Sequence, residues 1–354
     1  MTPGMFRKAL ARRILSGLAN SGAGQLFLVL FYLVPTLSAH AANGRLEVTY
    51  IDVGQADAIF VTCPDGNHHL LIDSGDTRYP GSSQHLRSFL TNTFGTKPHH
   101  LDLAVASHEH ADHIGSMEWV LKNFRVDTYV DNGDTAETTM FANLLTERRK
   151  QVKAGQLHYI QGNQNSFSEV DFCPDLKLEI FLPWATKPAL SDQNDRSVAI
   201  RLDYKERSFL FVGDLEGEAE RVMLNQFTEA QRARLKADVL KVGHHASDTS
   251  SLDGFIAAVS PQIAVVSVGK PNTGTNQQYK HPRLSTVRHY ADWFQSHPPP
   301  VKAAAANISA YDADSGAWKQ QTRPPGMWLT VKDGSVTVSS DGKELKVTAV
   351  PATN

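Results

Sequence analysis

Cysteine is scarce in this chain. Among 354 residues there are two cysteines, Cys63 and Cys173, which lie 110 positions apart. Such a pair can form at most one disulfide, and an oxidising compartment would permit it. Two separate buried thiols are equally compatible with the sequence, because spacing alone does not decide whether the sulfurs meet.

An excess of basic residues is also lacking. The 35 lysines and arginines face 37 aspartates and glutamates, which leaves a formal net charge of −2. Residues 1–41 contain four of the basic residues, so removing this segment would leave 31 basic against 37 acidic residues, a net charge of −6. A strongly basic nucleic-acid-binding protein is therefore excluded, although local basic patches remain compatible with the balance.

The chain has no apolar run of the length expected for a membrane span. Its N-terminal apolar segment, 26–37, is shorter than the roughly 20 residues that a spanning helix needs. A basic stretch containing Arg7 and Arg13 precedes it, and Ala39-His40-Ala41 follows it. This order predicts a secretory signal peptide over residues 1–41 and a periplasmic or secreted protein without stable membrane insertion after cleavage. An uncleaved anchor is the alternative.

The remaining residues have the composition of a globular protein, with 41% hydrophobic and 20% charged residues. Strand-like and helix-like segments alternate through two halves, which by itself indicates an α/β or α+β fold. We predict a catalytic domain over 42–297. Residues 298–326, which begin near a triple proline, are typical of a linker, and the alternating segment 327–350 predicts a closing β meander, so that 298–354 form the linker and meander.

The densest group of chemically active residues is HEHADH, which follows the buried strand predicted over 101–106. His108, His110, Asp112 and His113 fall within six positions, between the end of this strand and the start of an amphipathic helix. Imidazole and carboxylate are the ligands that suit zinc and related divalent ions. The pattern therefore predicts a metal site.

Four further groups of this kind occur along the chain, and three of them stand at the ends of predicted strands. Asp73 ends the strand over 69–73, Asp214 follows the strand over 209–212, and the pair His244-His245 follows the strand over 237–242. His281 stands before a predicted helix over 283–295. Residues at strand ends can meet at one edge of a sheet, although Asp214 could also be a helix N-cap and Asp73 a turn former.

The pattern resembles a known family. HEHADH fits the HxHxDH signature of the metallo-β-lactamase superfamily, and the blocks DVGQADA (52–58), LIDSGD (71–76) and KVGHHASDTSS (241–251) are similar to the branch containing the soluble domain of the DNA-uptake channel ComEC. The resemblance implies a four-layer αββα sandwich. It also implies metal ligation by His108, His110, Asp112, His113, Asp214 and one of His244 and His245.

The resemblance assigns three further roles and points to four departures. Asp73 would orient the metal loop, Asp112 would also orient the attacking hydroxide, and His281 would contact substrate, transfer a proton or act as an outer ligand. Ala56 and Ala246 replace usual glycines, and Asp248 stands where a basic residue is common. The fourth departure is Asn194, which stands where many superfamily members carry a histidine that completes the first metal site. We therefore expect one or two Zn²⁺ ions, with Mn²⁺ as an alternative.

These observations predict a secreted hydrolase in which a metal-bound hydroxide attacks a phosphodiester or phosphate ester, with DNA among the candidate substrates. The acidic mature chain and Asp248 argue against nucleic acid as the substrate, so a small phosphodiester or a phosphoester of the cell envelope is also a candidate. A lactone, thioester or β-lactam hydrolase on the same centre is one alternative. A non-catalytic periplasmic DNA-binding accessory with a structural metal is another.

Overall fold

In the computed structural model, residues 43–78, 80–95, 99–162, 167–183 and 190–350 are described. The predicted signal peptide lies outside these residues. All of the described residues fall within one compact unit, Ser38–Asn354. Within these ranges, no helix is both long enough and apolar enough to cross a membrane.

The strands and helices are numbered here in chain order. The strands are β1 (Leu46–Tyr50), β2 (Ile59–Thr62), β3 (His69–Ile72), β4 (His100–Val105), β5 (Arg125–Asp131), β6 (His158–Gln161), β7 (Phe167–Glu169), β8 (Lys177–Phe181), β9 (Ala199–Tyr204), β10 (Arg207–Phe211), β11 (Val239–Lys241), β12 (Ile263–Val266), β13 (Asn307–Asp312), β14 (Ala317–Thr322), β15 (Met327–Leu329), β16 (Ser335–Ser340) and β17 (Leu345–Val350). The helices are α1 (Pro80–Phe94), α2 (Ala111–Ile114), α3 (Met117–Asn123), α4 (Thr139–Lys153), α5 (Gly217–Gln226), α6 (Glu229–Ala233), α7 (Asp253–Val259), α8 (Asn276–Tyr279), α9 (Leu284–Ser296) and α10 (Thr330–Asp333).

Two large sheets form the centre of the described molecule. The first has the strand order β17-β16-β1-β2-β3-β4-β5-β6, and the second has the order β15-β12-β11-β10-β9-β8-β7. Strands β3 to β6 are parallel to one another, as are β10, β11, β12 and β15. These strands are short apolar runs because both of their faces are covered.

Three apolar clusters show that the layers are helix, sheet, sheet, helix. Side chains such as Val61, Leu70 and Ile200 form the cluster between the two sheets. On the outer face of the first sheet, Phe60 and Leu71 pack with residues of α1, α3 and α4. The second sheet packs in the same way against α5, α7 and α9. The predicted four-layer αββα sandwich is confirmed.

The C-terminal part differs from the sequence prediction. Residues 298–326, predicted as a linker, contain the antiparallel ribbon β13–β14, which packs against α9. Of the predicted meander, β16 and β17 do form an antiparallel hairpin, which extends the first sheet, but β15 pairs with β12 in the second sheet instead. A local alternating pattern identifies strands but does not specify the sheet that each strand joins.

The two cysteines meet between these layers. The sulfurs of Cys63 and Cys173 are bonded, and their Cα atoms are 6.4 Å apart. Cys63 directly follows β2 of the first sheet, whereas Cys173 lies between β7 and β8 of the second. The disulfide therefore links the two sheets.

Candidate metal centre

The candidate site residues lie on loops at the carboxyl ends of parallel strands. Asp73 follows β3 and the HEHADH segment follows β4 in the first sheet. Asp214 follows β10, and His244 and His245 follow β11 in the second sheet. In sheets of this kind, ligands bind outside the carboxyl ends of the strands. The facing edges of the two sheets thus bring sequence-distant side chains together.

The HEHADH segment is fixed by a close backbone contact. Helix α2 begins at Ala111, and the chain turns at Gly115 before α3, so the single helix expected from the sequence is two short ones. Gly115 N donates to Gly75 O at 2.9 Å, and a Cβ on Gly115 would lie 2.4 Å from that oxygen. Only glycine permits this approach, which places His113 at the centre of the site.

Four side chains form what we call the second ligand group: Asp112, His113, Asp214 and His245. All four are buried. His113 Nε2 lies 3.1 Å from Asp214 Oδ2, and His245 Nε2 lies 3.4 Å from the same oxygen and 3.7 Å from Asp112 Oδ2. His245 Nε2 has no hydrogen-bond partner among the described residues. A buried nitrogen of this kind, aimed at two carboxylates, fits a divalent cation.

In His113 and His245, the ring nitrogen that faces away from the ligand group, Nδ1, already makes a hydrogen bond to the protein. His113 Nδ1 donates to Asp73 Oδ2 at 2.8 Å, and His245 Nδ1 donates to Ser267 O at 2.8 Å. Metal-binding histidines commonly donate their second nitrogen to a carboxylate or carbonyl in this way, which orients the ring and selects its tautomer. Asp73 itself is held by the Ser107 amide at 2.7 Å and has a left-handed backbone, with φ of 58°.

His108 and His110 form the first ligand group. His108 Nε2 and His110 Nδ1 are 3.0 Å apart, and the two rings lie close to each other. His110 Nε2 lies 2.9 Å from Gln193 Oε1. Burial, followed by the charge of His113, lowers the pKa of His108, so its ring is neutral and able to accept a cation. At the position where many superfamily members have a third histidine, Asn194 donates to Glu216 at 3.1 Å.

The structure distinguishes the adjacent histidines. His245 is 1% exposed and joins the second ligand group, whereas the His244 Nδ1 atom contacts Glu216 Oε1 at 2.8 Å and its Nε2 is 3.9 Å from Asp214. The difference arises from left-handed backbone angles at 244–246, with φ of 43°, 50° and 63°. Ala246 therefore occupies a conformation that glycine adopts without steric cost, which explains the glycine usual in the family.

Two buried residues were missed by sequence reasoning. Asp57 and Lys241 are each 1% exposed and form an ion pair, and Lys241 Nζ also lies 3.3 Å from Asp214 Oδ1. Both residues stand inside the sequence blocks quoted above, but nothing local links them. Burial alone would raise the pKa of Asp214, yet His113, His245 and Lys241 together hold it well below its usual range.

The charge balance of this region favours a bound cation. Asp57, Asp73, Asp112 and Asp214 are buried together, and Lys241 is the adjacent ammonium. Ligand atoms of Asp57, His113, Asp214 and His245 all lie within 4.8 Å of one another. Because Asp57 is already paired with Lys241, we assign Asp112, and not Asp57, as the fourth residue of the second ligand group. Several carboxylates buried at this depth require cationic partners, and a divalent ion would supply two positive charges to them.

His281 lies beside the second ligand group. It is 3% exposed, and its ring centroid is 5.2 Å from that of His244 and 6.2 Å from that of His245. Burial, followed by the charges of these two histidines, lowers its pKa well below the usual value, so the ring is neutral. The predicted helix that follows it begins at Leu284.

Another histidine–aspartate group lies at the opposite edge of the first sheet, where β4 and β5 begin. His100, Asp102 and Asp127 are half-exposed and close enough to hold an ion. Their side chains are already engaged, because His100 contacts Asp127 at 2.9 Å, Arg125 contacts Asp127 at 2.9 Å, and Asp102 accepts from the His69 amide. We assign no metal to this group.

A four-layer sandwich with a buried aspartate–histidine cluster at the strand ends is the architecture of metal-dependent hydrolases of one superfamily. The family model for the metallo-beta-lactamase superfamily matches residues 51–270. The chain belongs to this superfamily.

The curated relatives include a protein named as a competence protein and one named as a recombination protein. ComE operon protein 3 of Bacillus subtilis is 32% identical over 79% of this chain and 34% of its own length. Competence protein ComA of Neisseria gonorrhoeae is 28% identical over 68% of this chain and 29% of its own. The chain thus spans about a third of the length of these relatives. Among solved structures, the metallo-beta-lactamase fold protein YhfI of Bacillus subtilis has 13% identity and a TM-score of 0.41, over 67% of this chain and 91% of its own.

Proposed function

We propose that this chain is an exported, divalent-metal-dependent hydrolase of phosphodiesters or phosphate esters. The observation that carries the proposal is the second ligand group, in which buried His245 Nε2 makes no hydrogen bond to any described residue and faces two carboxylates at 3.4 and 3.7 Å. A divalent ion held there, Zn²⁺ or Mn²⁺, would supply Lewis acidity and an activated water at neutral pH. One or two ions are compatible with the two ligand groups.

The protein side chains around that position have separable roles in the proposal. Asp112, His113, Asp214 and His245 bind the ion, and His108 and His110 offer a second position beside it. Asp112 also orients the attacking water, because it is the most exposed of the four residues and its carboxylate remains ionised. Asp73 acts through His113, whose ring it holds in place.

Cations at the rim support an anionic substrate. The Arg78 side chain is 42% exposed and pairs with buried Asp76, with Nη2 2.7 Å from Oδ2, and Asp76, followed by a smaller contribution from Asp112, raises the pKa of Arg78. Arg283 stands two residues after His281, and its Nε lies 3.7 Å from Asp248 Oδ1. This pairing offsets the repulsion that Asp248 would exert on a phosphate.

The relatives narrow the substrate class. Two of them are named as a competence protein and a recombination protein, which supports nucleic acid as the source of the phosphodiester. The acidic balance of the chain favours short or single-stranded substrates that enter the rim over a long duplex held by bulk charge. The same relatives also fit a chain that binds DNA without cleaving it, which the experiment below distinguishes.

The disulfide supports export. Disulfides such as Cys63–Cys173 persist in oxidising compartments and are rare in the cytosol. Together with the signal peptide expected from the sequence, it favours a periplasmic or secreted location.

The test is hydrolysis by purified protein before and after metal removal. We expect turnover of bis(p-nitrophenyl) phosphate and of a short single-stranded DNA, loss of both in EDTA, and recovery with Zn²⁺ or Mn²⁺. His245→Ala should abolish turnover, whereas the matched control His158→Ala, at an exposed strand end, should not. Turnover of nitrocefin or a lactone alone would indicate the other hydrolase classes. DNA binding that survives EDTA, without hydrolysis of any ester, would indicate the accessory role.

A further inference from the structure

The tautomer of His281 is determined by a chain of hydrogen bonds that begins at Gly269. Gly269 N lies 3.1 Å from Gln55 Oε1. A backbone amide can only donate, so the contact identifies the oxygen of the Gln55 side chain and leaves its nitrogen on the other side. Gln55 is 6% exposed and has little freedom to reverse this arrangement.

The amide nitrogen of Gln55 faces the His281 ring. Gln55 Nε2 lies 3.2 Å from His281 Nδ1. An amide nitrogen has only donor capacity, so His281 Nδ1 must accept and carries no proton. The single proton of the neutral ring is therefore on Nε2, which makes that nitrogen a hydrogen-bond donor.

The ring is held in this position from its backbone as well. Asn276 Nδ2 donates to His281 O at 2.7 Å, and His281 N donates to Asn276 Oδ1 at 2.7 Å. Gly269 packs so closely on Gln55 that a Cβ at position 269 would lie 2.7 Å from the backbone nitrogen of Gln55. These contacts come from three separate segments, so a change in any single one leaves the others to hold the histidine.

We propose that Gln55 is a positioning residue that locks His281 as a neutral Nε2–H donor towards an anionic oxygen of the substrate beside the ligand group. The inference rests on the proposed hydrolase function. A fixed donor in a buried site stabilises developing negative charge without reorganisation. Because the proton stays on the ring, the role requires no transfer step.

The isosteric substitution Gln55→Glu reverses the polarity of this contact. A carboxylate can still accept from the Gly269 amide, but its second oxygen can only accept, so His281 must then protonate Nδ1. Gln55→Met removes both polar contacts at similar volume and leaves the tautomer unspecified. Neither Gln55 nor His281 belongs to the ligand groups, so the metal content should stay unchanged in both Gln55 variants.

The measurement is long-range ¹H–¹⁵N NMR of histidine rings in the zinc-loaded full chain, with His281→Gln used to assign the signals. In the unsubstituted chain we expect an unprotonated Nδ1 and a protonated Nε2, and in Gln55→Glu a protonated Nδ1. The kcat for a phosphodiester should fall roughly 100-fold in Gln55→Glu with little change in KM, as for the loss of one oxyanion donor. The kcat of Gln55→Met should lie between the kcat of the unsubstituted chain and that of Gln55→Glu.

The outcomes separate the inference from the proposed function. A protonated Nδ1 in the unsubstituted chain overturns the inference, and this spectrum decides even where a variant does not fold. Reversal of the tautomer in Gln55→Glu with an unchanged kcat also overturns it, while the hydrolase function stands. If no phosphoester is hydrolysed by the unsubstituted chain, the catalytic role fails together with the proposed function, and the NMR result still tests the tautomer lock by itself.

Discussion

Lys241 allows a quantitative test of how the centre is stabilised. Its side chain is 1% exposed, Nζ donates to Gly213 O at 2.7 Å, and the ammonium pairs with Asp57 and with Asp214. All three of its protons thus have acceptors. The substitution Lys241→Met removes the charge and keeps an unbranched side chain of similar length.

The expected cost follows from these contacts. A hydrogen bond from a charged donor contributes about 1.5–3 kcal/mol, and the removal of one partner of a buried ion pair costs about 3–5 kcal/mol because the other charge is left uncompensated. The two estimates describe overlapping interactions, so we expect Lys241→Met to lower the unfolding free energy of the metal-free chain by about 3–5 kcal/mol. Adding Asp57→Asn should recover at least about 1 kcal/mol, because one uncompensated carboxylate is then neutral.

The assay is urea unfolding in EDTA, since urea leaves the ionic strength low and surface charges unscreened. Lys236→Met is the matched control, because Lys236 is exposed and should change stability by no more than about 0.5 kcal/mol. A loss below about 1 kcal/mol for Lys241→Met would refute the assignment of Lys241 as the compensating cation. Failure of Asp57→Asn to recover stability would refute the pairing itself.

Four further predictions concern the ligands and the fold. His245→Ala should weaken Zn²⁺ binding at least about 100-fold by calorimetry, whereas His244→Ala should leave the affinity within a few-fold; equal losses would contradict the assigned orientation. Asp73→Asn should weaken Zn²⁺ binding about 10–100-fold at unchanged stoichiometry, and an unchanged affinity would show that its hydrogen bond does not orient the ligand histidine. Cys63→Ser should lower the unfolding free energy by about 2–4 kcal/mol, and a melting temperature equal to that of the unsubstituted chain would exclude a stabilising disulfide. Burial raises the pKa of Glu220 from 4.5 to about 7, so the folded chain takes up a proton that the unfolded chain does not, and the unfolding free energy should rise as pH falls from 7 to 5. Glu220→Gln should remove about 1–2 kcal/mol of that rise, and an unaltered pH slope would contradict the assignment.

Much of the architecture was predictable because its determinants are local. The apolar strand before His108 and the turn to a helix are visible in a short window, and the spacing of HEHADH places several ligand types at one strand end. The same reasoning placed Asp214 after β10 and the histidine pair after β11. Their convergence required the family resemblance, because no periodicity specifies which strand ends meet.

The remainder depends on long-range packing and on backbone geometry. Lys241 and Asp57 pair across two sheets, and either residue alone is typical of an exposed charge. The choice of His245 over His244 depends on left-handed backbone angles that no local pattern encodes. The ribbon β13–β14 was missed because a triple proline lies shortly before it and polar residues dominate its second strand, which is typical of a loop.

The origin of the ligands couples metal binding to the packing of the sheets. His108, His110, Asp112 and His113 belong to the first sheet, whereas Asp214 and His245 belong to the second. An ion bound by both groups binds only the folded arrangement, so its binding free energy adds to the free energy that holds the sheets together. The disulfide links the same two sheets from the loops that carry Cys63 and Cys173. A metal ion bound there and the disulfide would thus stabilise one interface by independent means. The loss of either would leave the other, together with the apolar cluster between the sheets, to maintain the geometry on which the proposed hydrolysis depends.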